Sequence, residues 1–164
     1  MGNYLMMQIY IDKNKDMILV PYKECKFGYA LAVEPYKKIG NAKWDNVSEY
    51  IVDMIREIAM QPQTENTETD VMKQLCGNKG FKQFSKKHIC IEVDYKINDH
   101  TFIVRNEPRL PDGSYGVEKD TASEQYSVKH ISTDDVALIQ ESFIQAYEDA
   151  KQYLQKTGQS REGK

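Results

Sequence analysis

Arginine is scarce in this chain. Arg56, Arg105, Arg109 and Arg161 are four among 22 basic residues, and the formal net charge is −3. Arginine is the residue that grips phosphates and base edges with two prongs, so the usual profile of a nucleic-acid binder is missing. Cysteine is scarce too: Cys25, Cys76 and Cys90 are an odd number in a chain of 164 residues. That length supports its own core, so a disulfide scaffold is excluded and a reducing compartment is expected. No apolar run approaches the roughly 18 residues of a membrane span, and mean hydropathy is −0.67. Residues 4–11 are too short for a signal-peptide core and no basic residue precedes them, so a cytoplasmic location is expected. With 9 Gly, 5 Pro, 40% apolar and 29% charged residues, the chain is neither low-complexity nor disordered.

Signatures of catalysis are equally thin. His88, His100 and His130 form no His-x-x-x-His pair, and no Cys-x-x-Cys occurs. Zinc spacing is therefore absent and no cofactor or metal is expected. Gly77-Asn78-Lys79-Gly80 lacks the length and the Lys-Ser/Thr ending of a phosphate loop. No Gly-x-Ser-x-Gly elbow is present. His88, Cys90 and Glu92 alternate along one strand face. Such a pattern serves packing in most proteins, yet it keeps open a small enzyme whose site assembles in space.

What is present is a mixed pattern of short strands and two long helices. Residues 4–11 and 17–22 are apolar runs around the polar cluster 12–16, which predicts a hairpin. Residues 27–36 offer a third strand. Trp44, Val47, Ile51, Met54, Ile55 and Ile58 recur at three-and-four spacing and predict a helix over 44–60, ended by Gln61-Pro62. A polar loop (61–69), a short helix to Cys76 capped by Thr69 or Asp70, and a helical turn at 80–84 with Phe81 and Phe84 inward follow. Residues 88–97 and 101–105 predict a second hairpin about Asn98-Asp99-His100. Residues 106–125 form a long Gly/Pro loop, and 126–131 a last edge strand. A helix spans 134–155, with Thr133 as N-cap and Asp134 and Asp135 suited to its positive end. The fold class is α+β: a mostly antiparallel sheet of about five strands packed by two long helices, in one domain over 1–155 with a tail at 156–164.

Charge is distributed unevenly. Residues 44–72 carry seven acids against Arg56, and 133–150 carry five acids and no base. Between them, 73–91 carry Lys73, Lys79, Lys82, Lys86 and Lys87 and no acid. Asp45, Glu49, Asp53 and Glu57 step by four along the solvent side of the first helix. Exposed helix faces are commonly charged without further purpose. Two acidic helices also make a surface suited to a basic partner, by steering encounter and discriminating among partners. The candidate partner-binding residues are therefore Asp45, Glu49, Asp53, Glu57, Asp134 and Asp135.

The Trp-led helix from Trp44 to Met60, and Gly80-Phe81-Lys82-Gln83-Phe84-Ser85-Lys86-Lys87 running into the strand pair 88–105, suggest a family. Over roughly 40–105 the chain resembles the immunity proteins of bacterial contact-dependent growth inhibition. The resemblance implies a non-enzyme. It implies a cytoplasmic protein that binds the toxic C-terminal domain of a delivered effector, often a nuclease, and blocks it. Its cognate toxin domain is then the partner, with no membrane and no direct nucleic acid. A nucleic-acid role for Lys73–Lys87 is the other reading of the same charges.

Overall fold

The computed structural model describes residues 4–60, 69–107, 109, 112–115, 129–132 and 135–157. Two strands open it, β1 (Tyr4–Ile11) and β2 (Met17–Glu24), paired antiparallel with Met6 opposite Tyr22 and Ile11 opposite Met17. Their turn is fixed by Asp12, whose Oδ1 accepts from the Asn14 and Asp16 amides at 2.8 and 3.0 Å. The predicted third strand is two three-residue pieces, β3 (Ala30–Ala32) and β4 (Lys37–Ile39), both on β2. The second predicted hairpin is β5 (Ile89–Lys96) and β6 (Thr101–Glu107), and β7 (Lys129–Ser132) closes the far edge.

Among the described residues the antiparallel sheet has seven strands, where about five were expected, in the order β3-β2-β1-β5-β6-β7 with β4 also on β2. One strand is added because the segment expected at 27–36 breaks at a bend and the chain resumes pairing at Lys37.

Strand alternation divides the sheet into two faces. Leu5, Met7, Ile9 and Ile11 of β1 share one face with Met17 and Leu19 of β2, Ile89, Ile91 and Val93 of β5, and Phe102 and Val104 of β6. This face is buried beneath α1 (Val47–Met60) and α4 (Val136–Thr157). Trp44 lies ahead of α1 in a 3-10 turn (Asn41–Asn46), which is why the apolar periodicity begins before the α-helix does. Its ring stands 5.1 Å from Phe143 and 4.8 Å from Tyr147 of α4, joining the two helices. Gln140 completes the joint: its Nε2 donates to the Trp44 carbonyl (2.8 Å) and its Oε1 accepts the Ser48 amide (3.0 Å). An α1 amide left over at the helix start is thereby satisfied from α4.

The opposite face is covered by two short helices, α2 (Val71–Cys76) and α3 (Gly80–Lys86). Val71 and Phe84 pack there on Tyr10, Val20, Ala32 and Cys90. Phe84 is buried as predicted, but Phe81, in the first turn of α3, stays exposed at the rim, its ring against those of Phe84 and Tyr115. Residues 109 and 112–115 lie against α3: Arg109 Nε donates to Ser85 Oγ at 2.8 Å, and Tyr115 Oη to the His88 carbonyl at 2.7 Å. Gly113 sits at φ 94°, where a Cβ would stand 2.8 Å from Lys82 Cγ, so this approach requires glycine.

Candidate functional site

The two long helices lie side by side on one face of the sheet, and the lysine-rich segment lies on the other. Asp45, Glu49, Asp53 and Glu57 are all exposed. Glu57 pairs with Lys37 at 3.4 Å, and Asp53 approaches Arg56 at 4.0 Å, contacts too exposed to neutralise the stripe. Asp135 is exposed and acts as the helix cap, its Oδ1 accepting the Leu138 amide at 3.0 Å. Asp134 and the expected cap Thr133 lie outside the described residues, and α4 runs to Thr157, two residues past its predicted end. Lys73, Lys79, Lys82 and Lys87 are exposed on the α2–α3 side. The structure thus separates the acidic and basic segments onto opposite layers.

On that second face, beside the apolar patch under α2 and α3, runs a polar network. Register sets it out: Gln8 stands opposite Glu92, Glu92 opposite Arg105, and Cys90 opposite Glu107. The Tyr10 and Tyr22 hydroxyls donate to Gln8 Oε1 at 2.5 and 3.0 Å, and Gln8 Nε2 donates to Glu92 Oε1 at 3.2 Å. Arg105 then donates to Glu92 and, at 2.6 Å, to Asp94 Oδ2, with Glu107 Oε1 at 3.3 Å from its Nε. Three carboxylates surround one guanidinium. At about 4 Å, two like charges repel by about 4 kcal/mol in a partly buried setting.

Burial, reinforced by the Glu92 charge and a carboxyl–carboxyl contact with it, pushes Asp94 up to about 7 against the opposing pull of Arg105. Burial and the Glu92 charge push Glu107 up to about 7 as well. Burial alone would lower Arg105, but its carboxylate partners hold it above its ordinary value. Burial pushes the Tyr10 hydroxyl up strongly and that of Tyr22 up to about 12, so both remain donors.

Each member of the His88–Cys90–Glu92 constellation has its own local surroundings. His88 Nδ1 donates to the Phe84 carbonyl at 2.8 Å, its ring stacks on Phe84 at 4.0 Å, and burial lowers its basicity. Cys90 is wholly buried, and burial pushes its thiol well up, away from thiolate. His100 is exposed at the β5–β6 turn, its Nδ1 3.2 Å from the Tyr95 hydroxyl. His130 holds the register position opposite Ile103. Among the described residues no group of three or more His, Cys, Asp or Glu side chains is arranged to hold a metal ion. No helix among them is long and apolar enough to cross a membrane.

Sequence reasoning placed Glu92 on this face but missed Asp94, Arg105, Glu107 and Gln8. The signal was available: continuing the β5 alternation by two residues reaches Asp94, and a four-residue turn about Asn98-Asp99 sets Arg105 opposite Glu92.

No protein-family model matches the chain, and no curated protein matches it in sequence. Its fold is shared by solved structures, among them the following two. A Neisseria meningitidis protein of unknown function has a TM-score of 0.64 and 9% identity, covering 90% of this chain and 95% of its own. A chain of the CdiA-CT/CdiI toxin and immunity complex from Yersinia pseudotuberculosis has a TM-score of 0.58 and 10% identity, covering 89% of this chain and 97% of its own.

Proposed function

We propose that this chain is an immunity-type protein that binds and neutralises a bacterial toxin domain delivered by contact-dependent growth inhibition. The observation that carries the reading is the fold shared, end to end, with a chain of a toxin and immunity complex. The charge layout supports it independently. Asp45, Glu49, Asp53, Glu57 and Asp135 sit on one helical layer, where exposed acids cost the fold little and are free to meet a basic surface. Asp134 precedes Asp135 in the chain and completes the proposed set. A nuclease suits this surface, because a protein that handles nucleic acid presents basic residues. The protein works by occupation rather than chemistry, and its buried network holds the scaffold rather than turning over a substrate.

The test is calorimetric titration with the toxin domain encoded immediately upstream, together with growth protection in cells expressing that domain. A tight one-to-one complex and protection are expected. No binding together with no protection overturns the reading. Gel shift with RNA or DNA at moderate salt separates it from a nucleic-acid role for Lys73–Lys87, since phosphate contacts weaken steeply as salt rises.

A further inference from the structure

Arg109 is buried, with 9% of its surface exposed, yet no described carboxylate forms an ion pair with it. The acids nearest to it in the chain are engaged elsewhere. Glu107 turns to Arg105 Nε at 3.3 Å, and Asp112 Oδ1 accepts the Ser114 amide at 2.9 Å together with the Ser114 hydroxyl. The position of Arg109 is nonetheless fixed. Its backbone pairs with Tyr115 in an antiparallel bridge. Its Nε donates to Ser85 Oγ at 2.8 Å, and the Ser85 hydroxyl donates in turn to the Lys82 carbonyl at 3.0 Å. The two Nη atoms, the outward fork of the guanidinium, are left without an acceptor among the described groups. Neither is among the described enclosed atoms that lack a partner, so the fork opens to solvent. A buried ionised group with no counter-charge is costly, and in folded proteins such a group is paired or holds an ion.

The surroundings are cationic. Lys82 anchors Ser85 through its carbonyl, and its stem lies against Gly113. Lys79 and Lys87 are exposed and Lys86 is half-buried along the same segment, and residues 73–91 hold five lysines and no acid. We propose that Arg109, with Lys82 beside it, anchors a site for a phosphoryl group carrying two negative charges, on the α2–α3 layer and apart from the acidic docking face. A guanidinium fork donates to two oxygens side by side, a geometry that phosphate and carboxylate share. Charge decides between them. A carboxylate or a phosphodiester is a monoanion that the guanidinium alone satisfies, whereas the lysines add an attraction that grows with the charge of the ligand. Anchoring Nε on Ser85 orders the fork in advance, which lowers the entropy lost on binding. Occupancy there is independent of what the α1–α4 layer binds.

The experiment is urea unfolding of the full chain at constant ionic strength and mildly alkaline pH, where inorganic phosphate is largely a dianion. Chloride is replaced stepwise by phosphate, acetate or dimethyl phosphate, for the natural protein and for Arg109→Met. Phosphate at about ten times its dissociation constant should lower the unfolding constant of the natural protein about tenfold, and saturably. Arg109→Met should lose that protection, and Lys82→Gln should weaken it. Comparison with the variant removes the general salting effect of phosphate. Equal protection of Arg109→Met overturns the proposal. So does equal protection of the natural protein by acetate, a carboxylate, or by dimethyl phosphate, the diester of a nucleic-acid backbone. If Arg109→Met does not fold, the side-chain Nε–H signal of Arg109 in the natural protein, followed by NMR during phosphate titration, decides. Saturable movement of that signal supports the site, and an unmoved signal overturns it.

Discussion

The two faces of the sheet solve the same problem with different chemistry. The face under α1 and α4 is filled by Met7, Ile9, Ile11, Leu19, Ile91, Val93, Ile139 and Phe143, every one of them fully enclosed. The face under α2 and α3 is apolar only near Tyr10, Val20 and Cys90, and then gives way to Gln8, Glu92, Asp94, Arg105 and Glu107. Long helices can carry a continuous apolar stripe, while helices of six and seven residues cannot. Where the cover is short, the strands fill their outward positions with groups that satisfy one another across the register. The first face is where stability is concentrated, and its outer helical surface is left free for charge. The second is where hydrogen bonds and proton balance matter.

The largest expected effect tests that contrast directly. Phe143→Ala removes a fully buried ring that packs on Trp44, and should cost about 3–5 kcal/mol in urea unfolding. Phe84→Ala on the other face should cost less, because its neighbours Phe81 and His88 are partly exposed and can close over the gap. A larger loss at Phe84 would break the comparison. Arg105→Met comes next. It strips the cation from Glu92 and Asp94 and should cost about 2–3 kcal/mol at pH 8, less at pH 5 where protons relieve the repulsion. A pH-independent loss would mean that Arg105 serves by packing alone. Smallest is Tyr10→Phe, which takes one hydroxyl from Gln8 and should cost about 1 kcal/mol, measured in the same way.

Most of the architecture was legible because it rests on periodicity. The α1 stripe from Val47 to Ile58 becomes the buried side of that helix, and so does the expected α4 stripe Val136, Ile139, Phe143, Ala146, Tyr147, Ala150 and Leu154 except for Val136, which is exposed in the first turn. Both hairpins fall where polar turns interrupt apolar runs. What escaped lies beyond periodicity. The pieces at Ala30–Ala32 and Lys37–Ile39 are too short to show alternation, and they form because β2 offers a free edge. The start of α1 was placed at Trp44 because that ring belongs to the same apolar cluster, although its backbone is 3-10. The carboxylate cluster escaped because Arg105 and Glu92 are thirteen residues apart in the chain and meet only through strand register. The acidic stripe was visible from the start, and the structure adds that α1 and α4 share one layer with the lysines on the other.

That separation of charge is the centre of the account, and the upstream toxin domain tests it most directly. Its affinity should be measured for the natural protein, for a variant reversed at Asp45, Glu49, Asp53 and Glu57 to Lys, and for one reversed at Lys73, Lys79, Lys82 and Lys87 to Glu. All eight side chains are exposed, so both variants should fold. The acid-reversed variant should lose about tenfold or more in affinity and much of its salt dependence, while the lysine-reversed variant binds as before. Undiminished binding by the acid-reversed variant, or loss confined to the lysine-reversed one, would contradict the assignment of the α1–α4 layer as the docking face.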